Sequence, residues 1–382
     1  YIPYGTVTTK SGYMLTQANN AKVVTLDGNT NAECDSGDFT KYTISYSIKR
    51  YVVTRDNNGA VLGSHDQLAD AANSCLSGVG CTITAFADDS SMGIVVPIQN
   101  GKQITLTSID PGSPRTITQT VDSPNGRHFL LMDSAATLIL KDITLKGKDL
   151  NSSADVNGGV EVVEGYFVMQ SSATIKECAA VDGYGGGVEL SGTGIFVMAG
   201  DATISDNNAG TSGGGVRMKD DADFTMRGGT ITRNNAGTDG GGIWAGGDSW
   251  VNVGGGGTIT GNMAARAGGG IFLLASSNVF AAGGEISGNT AGTDGGGIYT
   301  EDYSYDNPAD TDKYSNLMIF NPARVEHNTA TNGTEVPPSN AADFDALFPG
   351  TLLNNNNINY RNPNVDVTIS KTVAGDYGDR NK

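Results

Sequence analysis

Trp244, Phe272 and Tyr299 recur at steps of 28 and 27 residues, and an acidic, tyrosine-rich stretch follows at once: EDYSYDNPADTDKYSN, Glu301–Asn316. If the recurrence is structural, three aromatic rings share one surface beside Tyr303, Tyr305, Asp302 and Asp306. Aromatic rings next to hydrogen-bonding acids suit stacking on a sugar or anchoring a protein partner. The same residues admit a second reading, in which the stretch folds back over the rings and makes a satellite core.

Other reactive residue types are sparse. His65, His128 and His327 stand in SHD, RHF and EHN, far apart along the chain. The cluster KDDAD, Lys219–Asp223, reads as a solvated turn. DGNTNAECDSGD, Asp27–Asp38, alternates acids and amides loosely like a calcium loop. It has Ala32 where such loops need glycine, and it lies among strand-like rather than helical segments, so a polar loop is the plainer reading. The four cysteines, Cys34, Cys75, Cys81 and Cys178, form no metal-binding pattern. Cys75 and Cys81 flank LSGVG, a turn-rich stretch that would bring them together as a disulfide in an exported protein, or leave two buried thiols.

Bulk properties narrow the classes of function. A net charge of −17 and a pI of about 4.4 argue against a phosphate-binding surface, so nucleic acid is not an expected partner. No run of 18 apolar residues is present, so no membrane-spanning helix is expected. The opening YIPYGTV has no initiator Met, and the chain is expected to be a piece of something longer. Glycine, at 54 residues, is about twice its usual share and is concentrated between Gly147 and Gly297.

That glycine belongs to a repeat. Glycine runs are followed by Val160, Val188, Val216, Ile243, Ile271 and Ile298, at steps of 28, 28, 27, 28 and 27. A second column holds Ile175, Ile204, Ile231, Ile259, Ile286 and Val325; its last step is long because of the insertion at Glu301–Asn316. Three residues later runs a third: Cys178, Asn207, Asn234, Asn262, Asn289 and Asn328. Each copy carries three short strand-like runs, such as GIWA, SWVNVG and GTIT, bounded by turn residues and lacking a helical period. Three strands per 27–28 residues predict an all-β fold, a parallel β-solenoid of triangular section rising about 4.8 Å per coil.

The pattern assigns roles within a coil. The glycines are expected to turn through positive φ, and the Asn column to tolerate the left-handed conformation and bond to the Asn one coil above. Cys178 lacks an amide and should begin that ladder. If the branched aliphatics point inward, the next residue points out, giving Glu161, Glu189, Arg217, Trp244, Phe272 and Tyr299 as an outward column. Open solenoid ends need covers, here a helix over Gln67–Ser74 and a helical lid over Ser339–Phe348. The expected organisation is a small β unit over 1–64, with a hairpin turning at DNNG, then the solenoid over 65–335 and a cap over 336–364. Residues 365–382 would begin a further domain.

The phrases GGGI and T-I-x-x-N, together with the helix-then-coils opening, resemble the right-handed, pectin-lyase-like β-helix family over about Asp66–Ala330. They are more similar still to the β-helix segments of Gram-positive surface proteins. DVTISKTVAGDYGDRNK resembles the first strand of a pilin-like or collagen-adhesin-B-type domain, in which Lys371 matches the isopeptide-forming lysine. These resemblances imply an extracellular, cell-wall-anchored adhesin, with this chain a monomeric module binding a host-surface glycan or protein, without cofactor. They also imply a rival, a polysaccharide lyase or glycoside hydrolase. Hydrolases of this fold carry Asn-Thr-Asp and Gly-His-Gly phrases absent here, and lyases bind calcium through acids on neighbouring coils. Asp239 and Asp294 share a corner but stand two coils apart with Ala267 between, so catalysis is not expected. A stalk without ligand is the third reading.

Overall fold

A computed structural model describes residues 49–121, 126–148, 158–180, 183–302, 314–333, 348, 351 and 354–360, with the backbone of 15–17, 23–26 and 31–33. The chain is all-β, a parallel solenoid of about seven turns, with one helix among the described residues, Leu68–Ser74. Val188, Val216, Ile243, Ile271 and Ile298 pair in register from coil to coil, and all are fully buried. The third-strand column, Ile204, Ile231, Ile259, Ile286 and Val325, stacks in the same way. Between these lies a column of Phe167, Phe196 and Phe224, stacked at 4.8 and 4.7 Å between ring centroids. Burying aliphatic and aromatic side chains against their own kind at every coil is the main source of cohesion, because one coil has no partner for its apolar face.

Each coil holds one strand more than the repeat suggests. After the Asn column comes a two-residue strand, such as Asn208–Ala209 or Met263–Ala264, and six of these form a sheet of their own. It is too short to leave an alternating pattern in the sequence.

The corners also differ in detail. Only the first glycine of a run such as Gly240–Gly242 needs positive φ, at 65°. Gly242 has ordinary φ, but a Cβ on it would lie 2.6 Å from the carbonyl oxygen of Gly270 in the next coil. The run is therefore glycine chiefly because backbones stack there, each amide donating to a carbonyl above, as Gly214 N to Gly240 O at 3.1 Å. At the other corner the left-handed residue is the one before the Asn: Glu177, Asp206, Arg233, Gly261, Gly288 or His327. The Asn itself is needed for its amide. Asn234 Nδ2 donates to Asn262 Oδ1 at 2.9 Å and to the Ile204 carbonyl at 3.0 Å, and Asn262 Oδ1 also accepts from the Asn234 backbone N–H. Cys178 starts the ladder by donating its N–H to Asn207 Oδ1.

Both ends of the stack are covered. A hairpin, Tyr51–Arg55 with Val61–His65, adds antiparallel to Gly80–Ala85, and the helix Leu68–Ser74 packs beside it. Cys75, which ends the helix, is bonded to Cys81 in that first strand, with Cα atoms 5.8 Å apart. At the far end residues 354–360 lie on the last glycine corner and on Ile298–Thr300. Ile298 N donates to Asn357 O at 2.8 Å, and Asn328 Nδ2 to Asn357 Oδ1 at 3.3 Å. The expected helical lid over Ser339–Phe348 lies outside the described residues except for Phe348, which is buried edge-on against Tyr314. The backbone described near the N-terminus forms a separate antiparallel sheet of Leu15–Gln17, Val23–Leu26 and Asn31–Glu33. Asn31–Glu33 falls within the calcium-like stretch as a strand, and the remainder of that stretch lies outside the described residues.

Candidate functional site

Strand pairing sets Arg217, Trp244, Phe272 and Tyr299 one above another, as alternation along the first strand requires. Their rings do not lie flat against the solvent. Trp244 and Phe272 are within 4° of parallel with centroids 6.3 Å apart, and Phe272 and Tyr299 within 5° at 5.0 Å. Stacked at that spacing, each ring turns its faces to its neighbours along the solenoid axis and only an edge outward. Arg217 continues the pile, its guanidinium 5.1 Å from the Trp244 ring centre and 4.0 Å from that of Tyr184. Phe272, expected to be exposed, is 2% exposed, while Trp244 and Tyr299 are half-buried. A sugar therefore cannot stack on the face of Phe272 without parting the column.

Charges flank the rings. Arg266 lies 5.9 Å from the Phe272 centre and is ion-paired with Asp239, Nε to Oδ1 at 2.8 Å. Asp239 also accepts the Ala267 N–H, and Asp294 accepts from the amides of Asn332 and Asn355. Burial, opposed by Arg266 and aided by Asp239, pushes the Glu301 carboxyl above its ordinary range. Burial together with Glu301 raises the Tyr299 hydroxyl. Asp302 is engaged within the chain: its carboxylate takes the Ser315 N–H at 3.0 Å and hydroxyl at 2.9 Å, closing the neck of the insertion. Tyr303, Tyr305 and Asp306 lie outside the described residues, as does Lys371.

Two buried polar residues sit near each other without reactive geometry. His128 Nδ1 accepts the Gly159 N–H and its Nε2 lies 3.1 Å from the Ile117 carbonyl, so the ring is neutral and both nitrogens are occupied. Burial pushes its pKa down to about 4 and that of the neighbouring Cys178 thiol up to about 12, so the ring is only a weak base and the thiol stays protonated. Among the described residues no group of three or more His, Cys, Asp or Glu side chains could hold a metal ion.

The residues that sequence reasoning passed over are on the second-strand face. Trp250, Phe280 and Phe320 are exposed there, and a notch of about 310 Å³ opens between Arg227, Gly254 and Phe280. The sequence signal for them is the run Gly254–Gly257, which follows WVNV and resembles the repeated glycine corners. No protein-family model, curated protein or solved structure matches the chain.

Proposed function

We propose that this chain is a non-enzymatic, extracellular binding module, an adhesin segment that presents one face of a rigid β-solenoid to a surface glycan or protein. The observation that carries this reading is the Arg217–Trp244–Phe272–Tyr299 column, in which Trp244 and Tyr299 are half-buried on either side of the buried Phe272, beside Arg266 and Glu301. Tryptophan, tyrosine and arginine on an outer face are the residue types that dominate binding interfaces. The Cys75–Cys81 bond agrees with an oxidising compartment. No described helix is long and apolar enough to cross a membrane. The acids that a lyase of this fold would use for calcium are engaged in bonds to protein, Asp239 to Arg266 and Asp294 to Asn332 and Asn355.

A glycan and protein array probed with the chain tests the proposal. Trp244→Ala should lower attachment about tenfold or more while the far-ultraviolet dichroism is kept, as expected for an interface anchor. Binding unchanged in that variant would remove the column from the interface. Release of reducing or unsaturated ends from acidic polysaccharides would replace the binding reading with the enzymatic one.

A further inference from the structure

The notch on the second-strand face has the build of a small-ligand site. Thr225, Asn252 and Phe280 pair in register on three successive coils and all point outward. One residue pair further along the strand, the side chains shrink: Arg227 is followed on the next coils by Gly254 and Ala282, and then by Phe320. Two coils without bulk leave a gap roughly 10 Å long, the size of one pyranose ring with its substituents. Arg227 closes one end. Phe280 closes the other, with Phe320 packed against it at a tilt of 47° and 5.4 Å between centroids.

Gly254 is the informative residue. Most glycines of the regular coils have either positive φ or no room for a Cβ, whereas Gly254 has ordinary φ, and a Cβ on it would meet nothing closer than the Met226 carbonyl at 3.7 Å. Neither backbone nor packing requires glycine there; what glycine does is keep the floor low. The polar rim is uncommitted too. Arg217, Arg233 and Arg266 are ion-paired with Glu189, Asp206 and Asp239, but Arg227 has no ion pair among the described residues. An unpaired guanidinium on a chain of net charge −17 is a ready partner for a carboxylate.

We infer that this notch binds a terminal sugar carrying one carboxylate. The guanidinium of Arg227 takes the carboxylate, the Asn252 amide and Thr225 hydroxyl take ring hydroxyls, and the C–H face of the ring rests on Phe280. The ligand is a chain end and not a polyanion, because the net negative charge of the protein repels a long acidic chain while one carboxylate is offset locally. The inference rests on the binding-module reading but places the ligand on a different face from the aromatic column.

The test is calorimetric titration of the chain with methyl β-glucuronoside and with the α-methyl glycoside of N-acetylneuraminic acid. Their methyl esters and methyl β-glucoside are the controls. One acidic glycoside should bind saturably, and its ester and the neutral sugar about tenfold more weakly or not at all, as loss of a charge-assisted bond predicts. Arg227→Met and Gly254→Leu, both at the surface, should each weaken binding by a similar factor with thermal unfolding unchanged. No binding of either acid, equal binding of the ester, or full binding by both variants overturns the inference. Array attachment lost in Trp244→Ala, together with no calorimetric binding of either acidic glycoside, would sink the notch alone and leave the binding-module reading standing.

Discussion

His128 shows how one side chain can be read for both structure and stability. Its neutral ring bridges two coils, and burial holds its pKa near 4 against an ordinary 6.5. The unfolded chain therefore binds a proton between pH 6.5 and 4 that the folded chain refuses. This group's contribution is complete above pH 6.5 and is lost as pH falls towards 4, by about 3 kcal/mol in all. Urea midpoints measured across that range should show the decline, and His128→Gln should flatten it; an unchanged slope in the variant would mean that His128 is not the titrating group. The Asn column was legible as a period, and its ladder follows from the amide having both donor and acceptor. Which residue takes the left-handed turn was not legible, because Asp206, Arg233 and His327 share no chemistry that marks them for it.

At the scale of the strand and corner, the glycine run is a device for stacking backbones. Gly242→Ala places a methyl 2.6 Å from the Gly270 oxygen and 3.1 Å from both Asn262 Nδ2 and Ile259 Cγ2. Relief needs two coils to part, so a loss of about 3 kcal/mol is expected, as for overpacking in a closed core. Thermal unfolding of the variant beside Gly254→Ala, where the same methyl makes only an ordinary contact with the Met226 carbonyl, is the measurement. Equal stabilities would contradict the account of the corner. The aromatic column carries the same lesson in reverse. Alternation places Trp244, Phe272 and Tyr299 outward, but the sequence holds no information on ring tilt, and tilt turned a flat platform into a pile of edges.

For the whole molecule, a solenoid is only as safe as its ends. Residues 354–360 occupy the last edge: Thr300 N donates to Asn359 Oδ1 at 2.9 Å and Asn359 Nδ2 returns to Thr300 O at 3.0 Å. The Asn ladder itself runs on to Asn357. A chain ending at residue 353 should expose the Ile298–Thr300 edge and self-associate with rising concentration, as unpaired parallel strands do. Light scattering during gel filtration checks this, and a monomer at all concentrations would show that the cap is dispensable. Because each coil touches only its neighbours, damage at one coil should propagate by coil and not abolish the fold at once.

The sequence by itself determined the coil: its length, its inward column, its amide ladder and the site of its insertion. All of these depend on one residue meeting its own counterpart one coil away, and a strict period records such contacts directly. It also placed a hairpin at DNNG and a helix just before Cys75, which local turn and pattern signals carry. Only the tertiary structure decided which outward residues share a surface with room for a ligand. Arg227, Gly254 and Phe280 come from three coils and differ in type, so no period connects them. What joins them is the absence of side chains between them, and an empty space is visible only once the neighbouring coils are in place.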